Sequence, residues 1–168
     1  MAYTDNRSFN AKNSGNFNRN NDRGFNKTEI PNTLPKGYLE SDYLRSDGRR
    51  DTRYVLEFAE HIGKVLSADA NTGKSKIRAY YDTALSIKDS VYNKAITEDE
   101  AIIRLSQLKN RVIDRQAKGN ASPFFVKFIS KNVDTVISDE DKFRERIRHF
   151  CEHFEAVVCH TADKKERR

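Results

Sequence analysis

The chain has 168 residues, a third of them charged, with a formal net charge of +6 and a pI near 9.3. That length admits one domain plus a tail, and the positive balance favours an acidic partner, with nucleic acid the first candidate. No stretch approaches the roughly 20 apolar residues of a membrane span, and the Asn-rich amino terminus lacks the apolar run of a secretory signal, so a cytoplasmic protein with no membrane role is expected.

Residues 1–48 read as a disordered Asn/Arg-rich tail and a linker. The first thirty or so combine Asn, Arg and Gly with isolated aromatics, Tyr3, Phe9, Phe17 and Phe25. Without clustered aliphatics such a segment cannot offset the entropy of ordering. Arg19, Arg23 and Lys27 beside Phe17 and Phe25 suit a phosphate backbone and unpaired bases, although a solubilising extension is the simpler account of the same composition. Pro31, Pro35 and Gly37 mark the linker, and Tyr38, Leu39, Tyr43 and Leu44 are expected to dock on the core as a short turn or helix.

From about Arg49 the pattern is helical. Val55, Phe58, Ala59, Ile62 and Leu66 share one face, and the run stops at the polar loop from Asp69 to Thr72. The second helix carries Ile77, Tyr80, Tyr81, Ala84, Ile87 and Val91 on its apolar face, and Lys74, Lys76 and Arg78 crowd its first turns. Cations there oppose the helix dipole, at up to about 1 kcal/mol each unless an anion is bound nearby. Thr97 with Glu100 forms a capping box for the third helix, which runs to Lys118 and stops at Gly119 and Asn120.

Ser122 and Pro123 are a good N-cap and first-turn pair for the fourth helix, where Phe124, Phe125, Val126, Phe128 and Ile129 spread around the circumference. Three phenylalanines so placed cannot all face one core, which puts at least one, Phe125, at a surface or subunit boundary. Ser138, then Asp139, Glu140 and Asp141, cap the fifth helix, whose stripe is Phe143, Ile147, Phe150, Phe154, Val157 and Val158. The fold class is therefore all-α: a compact bundle of about five helices over residues 49–162, preceded by the disordered tail and followed by a charged tail at 163–168.

On the third helix Arg104, Arg111, Arg115 and Lys118 project within a sector about 60° wide, while Ala101, Leu105, Leu108 and Val112 point to the core. Such a row, roughly 20 Å long, suits a polyanion lying alongside better than a small substrate, because each phosphate needs its own cation. A solvated charged face is the plain alternative, and only Asp114 interrupts the row with the opposite sign.

Three constellations invite a catalytic reading and fail it. Ala68 and, after four residues, Gly73, Lys74 and Ser75 meet a relaxed phosphate-loop pattern, but Val65 and Leu66 end a helix where that motif needs a buried strand. His149, His153 and His160 share a flank of the last helix, yet Cys151, Glu152 and Cys159 project elsewhere, so no metal set converges and the histidines are expected to border a core or subunit contact. The two cysteines, eight apart on one helix, would have alpha carbons roughly 12 Å apart, too far for a disulfide. No carboxylate pair escapes a plain surface reading, so no catalytic residues, no metal site and no cofactor are expected.

The run from Phe150 to His160, with Phe154, Glu155, Ala156, Val157 and Val158 at its centre, resembles the carboxy-terminal signature of the small-subunit proteins of type III-A CRISPR effector (Csm) complexes. Two further segments look like that family's motifs in the same order: Thr72 to Arg78, where Ser75, Lys76, Ile77 and Arg78 open a helix, and Leu108 to Lys118, with Arg111, Gln116, Ala117 and Lys118. Arg115 stands where relatives often have an aromatic, and Gly119 follows Lys118 where they tend to have glycine before arginine.

The resemblance implies a non-enzymatic, all-helical subunit stacked in several copies along paired guide RNA and target RNA. It implies contact with the RNA backbone, with the large signature subunit, with the backbone subunits and with neighbouring copies of itself. The residues matching the family's basic motifs are Lys76, Arg78, Arg111 and Lys118, to which the geometry adds Arg104 and Arg115 as RNA-binding candidates. A protein that serves every guide must ignore base identity and use Lys and Arg on phosphate and ribose. The rival is a helical protein-interaction adaptor with no RNA role, using the segment from Phe124 to Ile129 as its contact.

Overall fold

The computed structural model describes residues 33–161. The expected disordered tail, its Arg19, Arg23 and Lys27 cluster and the charged segment 163–168 lie outside the described residues. Five α-helices follow one another: α1 (Glu57–Ser67), α2 (Lys74–Tyr92), α3 (Glu98–Ala117), α4 (Pro123–Ile137) and α5 (Phe143–Thr161), with 3₁₀ turns at Thr52–Tyr54 and Glu140–Lys142. Among the described residues no strand forms, and Leu44 and Arg50 make an isolated antiparallel bridge.

Helices α2, α3, α4 and α5 close a four-helix ring, each packing on the next and α5 returning to α2, while α1 lies along the outside of α5. Apolar positions at helical spacing account for this, since each expected stripe is buried: Ile62 and Leu66 on α1, Ile77 and Ala84 on α2, Leu105 and Val112 on α3, Ile147 and Phe154 on α5. Helix α1 approaches α5 closely because residue 63 is glycine; a Cβ there would stand 2.9 Å from the Val157 carbonyl oxygen and closer still to the His160 Cβ.

Three local expectations change. Val55 ends the 3₁₀ turn rather than lying in α1, because Asp51 caps that turn by accepting from the Arg53 amide and the buried Tyr54 fixes it to the core. Of the four residues expected to cap α5, Asp139 does so, through the 3₁₀ turn that it begins, whereas Ser138 closes α4. Only half of the capping box forms on α3: Thr97 Oγ1 accepts from the Glu100 amide at 3.2 Å, while the Glu100 carboxylate pairs with Arg104.

The assignment of Phe125 to a surface or subunit boundary is wrong. Phe124, Phe125 and Phe128 are all buried, because α4 has α3 on one side and α5 on the other, and the Tyr38 to Tyr43 segment reaches its Asn132. Phe125 meets the Tyr80 ring edge-on at 5.3 Å, and Phe128 meets Phe154 at 5.1 Å. Ile129 is buried and Val126 half-buried as well, which removes the contact surface on which the adaptor reading relied. Tyr38, Leu39 and Tyr43 dock on the bundle as expected, in turns rather than a helix, with Leu44 half-buried.

Candidate nucleic-acid interface

Tyr80 of α2 shares a cleft with Arg111 and Arg115 of α3, and Ile87 of α2 shares another with Arg104, so the two helices run antiparallel and their seam carries the basic row. Apolar residues on the inner faces, Ile77, Ala84, Leu105 and Leu108, hold the seam shut underneath. The wider cleft, about 510 Å³, lies between Asp82, Thr83 and Ser86 on one wall and Arg104, Gln107 and Arg111 on the other. A narrower one of about 120 Å³ is lined by Ala79, Tyr80, Thr83, Leu108, Arg111 and Arg115. The two clefts share Thr83 and Arg111, so Arg104, Arg111 and Arg115 follow one another along a single grooved seam.

The other three candidates sit differently. Lys118 continues the α3 row one turn past Arg115 and pairs with Asp114 at 2.7 Å. Lys76 spans two loops, its Nζ donating to the Asn71 and Asn120 carbonyls at 3.3 Å each, so part of its role is to clasp the start of α2 to the end of α3. Arg78 lines neither cleft; it turns to Asp82 at 3.5 Å and lies over the Tyr81 ring.

Charge compensation along the row is uneven. Arg104 pairs with Glu100 at 2.5 Å, an exposed i, i+4 contact of a kind worth about 0.3–0.5 kcal/mol and easily exchanged for a phosphate. Arg111 and Arg115 are exposed and have no ion-pair partner among the described residues. Two uncompensated guanidinium groups, one helical turn apart, are the most cationic point of the groove.

Tyr80 was legible in the sequence only as a core position. Its ring is core, yet its hydroxyl is buried and donates to no acceptor, with the Arg115 guanidinium beside it; burial raises its pKa against the opposing charge and hydrogen-bonding pull of Arg115 and the charge of Arg111. The signal available was the choice of tyrosine on an apolar stripe, since a buried phenol normally has a partner for its hydroxyl.

Elsewhere two histidines and one thiol are buried in the core. His153 is fully buried, with Nδ1 donating to the Tyr54 carbonyl and Nε2 accepting from Tyr38, and burial depresses its pKa to about 4. His149 is buried and its pKa is lowered by burial, then by Arg148 and Arg50, whereas His160 is exposed. Cys151 is a buried free thiol pushed up to about 12, and Cys159 is free and exposed. Among the described residues no three His, Cys, Asp or Glu side chains converge on a point that could hold a metal. Val65 and Leu66 lie in α1, so the segment before Gly73 has no phosphate-loop strand. No described helix is long and apolar enough to cross a membrane.

An antiparallel helical seam faced with the unpaired Arg111 and Arg115, on a bundle that gathers no metal set among its described residues, defines a helical module with a cationic face. The family model Csm2 Type III-A matches residues 49–166, and the chain belongs to that family, the small subunit of the type III-A Csm complex. Nothing matches it among curated proteins or among solved structures. The match ends beyond α5 and includes all five helices and the whole groove.

Proposed function

We propose that this subunit binds the backbone of RNA along the α2/α3 groove, without reading sequence and without chemistry of its own. The observation that carries the reading is the placement of Arg104, Arg111 and Arg115 in one groove, the last two without acidic partners. Guanidinium groups suit phosphodiester oxygens, and a groove whose cations all come from one helix follows a strand rather than enclosing a base. Lys118 and Lys76 extend the cationic track at the end where α3 gives way to α4; Arg78 is a peripheral contributor.

In the assembled complex the polymer is the paired guide RNA and target RNA, and the subunit repeats along it beside the large signature subunit, the backbone subunits and further copies of itself. Membership in the family supports this arrangement.

The test is binding of full-length protein to unstructured RNAs of unrelated sequence at several salt concentrations. Affinity should fall steeply with salt and vary little with sequence. Charge reversal at Arg111 and Arg115 together should weaken binding at least tenfold and reduce the salt slope by about 1.4, two phosphate contacts' worth on a single strand. Helicity and melting temperature should be unchanged, because both side chains are exposed. Salt-independent binding, or strong preference for one sequence, sinks the proposal. Hydrolysis of RNA by the pure protein, abolished together with binding in that variant, sinks the non-catalytic part.

A further inference from the structure

We propose that the narrow cleft between α2 and α3 is a seat for a single phosphate, with the Tyr80 hydroxyl as its buried donor and Arg111 and Arg115 as its charged walls. Which polymer supplies the phosphate rests on the RNA reading above; the seat itself rests on local chemistry.

Three observations converge. The cleft's six lining residues include two arginines and no carboxylate, whereas the wider cleft includes Asp82, which repels an anion. Asp114, whose charge also reaches Tyr80, is taken up by Lys118. Second, Tyr80 is 7% exposed and its hydroxyl has no acceptor, the group beside it being the donor-only Arg115 guanidinium, an unusual state for a buried O–H and one that a ligand oxygen would end. Third, the remaining hydroxyl in the cleft is already spent: Thr83 Oγ1 donates to the Ala79 carbonyl at 2.8 Å. The one unspent neutral donor therefore faces the two unpaired cations.

The arrangement suits a tetrahedral oxyanion. Arg111 and Arg115 are four residues apart on α3 and so stand on one face, able to take two oxygens while the phenol donates to a third. Because the hydroxyl is closed off from water, the incoming phosphate displaces the Arg115 side chain from beside it, and the guanidinium then follows the same anion. A phosphate held at one fixed point sets the register of the backbone along the groove, which a row of flexible cations alone does not do.

Tyr80→Phe is the direct test, since it removes one oxygen and keeps the ring that packs edge-on against Phe125. In full-length protein the variant should melt at or above the parent temperature and bind RNA roughly 10-fold more weakly, the loss of one charge-assisted hydrogen bond. Its salt slope should be unchanged, because a neutral donor releases no counterion. The Arg115→Ala variant should lower affinity and slope together, and in that background Tyr80→Phe should cost less than it does alone, as expected of two groups on one anion.

Parental affinity in Tyr80→Phe, with binding still lost on charge reversal at Arg111 and Arg115, overturns the seat and leaves the RNA reading standing. Full additivity of the Tyr80 and Arg115 effects also overturns it. A second probe separates the two proposals: inorganic phosphate against chloride at matched ionic strength. If RNA does not bind but phosphate raises the melting temperature of the parent and not of Tyr80→Phe, the RNA reading fails and the seat stands; if neither ligand acts, both fail.

Discussion

The Tyr38 hydroxyl lies 2.7 Å from Nε2 of His153, joining the turn ahead of the bundle to the middle of α5. The direction of that bond is forced by its neighbours. Tyr43 donates to Asn132 Oδ1, and Asn132 Nδ2 donates to the Tyr38 hydroxyl and to the Phe128 carbonyl. Tyr38 therefore gives its own proton to His153, which must be neutral and carry its hydrogen on Nδ1, where it donates to the Tyr54 carbonyl. Every member is buried and satisfied, so the chain ties the turn, α4 and α5 into one unit.

Acid should loosen this unit. The His153 pKa falls from 6.5 to about 4 on folding, through burial, so the unfolded chain takes up a proton that the folded one refuses. The stabilisation is complete above pH 6.5 and is lost as pH falls toward 4, on the order of 3 kcal/mol over the window. His149, also shifted down, adds in the same direction. Urea unfolding at pH 7.5, 6.5, 5.5 and 4.5 should show stability flat between the first two and declining thereafter. A flat profile down to pH 5 is incompatible with the neutral His153 described above.

Phe125 and Phe154 should behave alike. Both are fully buried, the first against Tyr80 and Phe128, the second against Tyr81, Phe128 and Phe150. Replacement of either by Ala should cost about 3–5 kcal/mol in urea unfolding. A loss below 1 kcal/mol at Phe125 would return that ring to an interface role.

The contrast between those two rings marks where the sequence stops being informative. Phe154 sits on a stripe, and periodicity alone reveals a stripe. Phe125 lies on one row with Ile129, Asn132 and Val136, inside an apolar arc on α4 about 180° wide, and whether so wide an arc is buried throughout depends on how many neighbours enclose the helix, which is a property of the assembled bundle. The same limit applies to the candidate site. The cationic row on α3 is legible because its residues share one face, but the groove exists only where α2 lies beside it, so Tyr80 gave no sign of facing Arg111 and Arg115. Arg146 is hidden from the sequence for a related reason: on the α5 sequence it reads as one more surface charge, and it is the end of α4 together with the turn carrying Asp42 that covers it.

Gly63 should not tolerate alanine. Alanine is favoured over glycine inside a helix by up to about 1 kcal/mol, so a gain would be expected from propensity alone. Against that, the new Cβ would fall on the backbone and Cβ of α5 at Val157 and His160, atoms that cannot rotate away. Overpacking of this kind costs about 1–3 kcal/mol, so Gly63→Ala should lower stability on balance and Gly63→Val more. A raised melting temperature in Gly63→Ala would mean that α1 can shift off α5 without loss.

Arg146 is the buried charge on which a mutant cycle should be most informative. Its Nε and Nη2 donate to Asp42 Oδ2 at 3.1 and 2.8 Å, and Nη1 donates to the Thr135 carbonyl at 3.1 Å and Ser138 Oγ at 2.7 Å. The guanidinium so closes the end of α4 and pins the turn before the bundle. Asp42→Ala strands a cation whose residue is only 7% exposed, and should cost on the order of 3 kcal/mol. Arg146→Met replaces the stem with apolar bulk but strips Asp42 Oδ2 of both guanidinium donors, leaving the carboxylate the Tyr43 amide on Oδ1, for a loss of similar size. Combining Asp42→Ala with Arg146→Met removes both charges, so the double variant should be less destabilised than the sum of the singles, by about 1–3 kcal/mol in urea unfolding at pH 7. Simple additivity would show that the pair contributes no coupling and that Thr135 and Ser138 alone hold Arg146 in place.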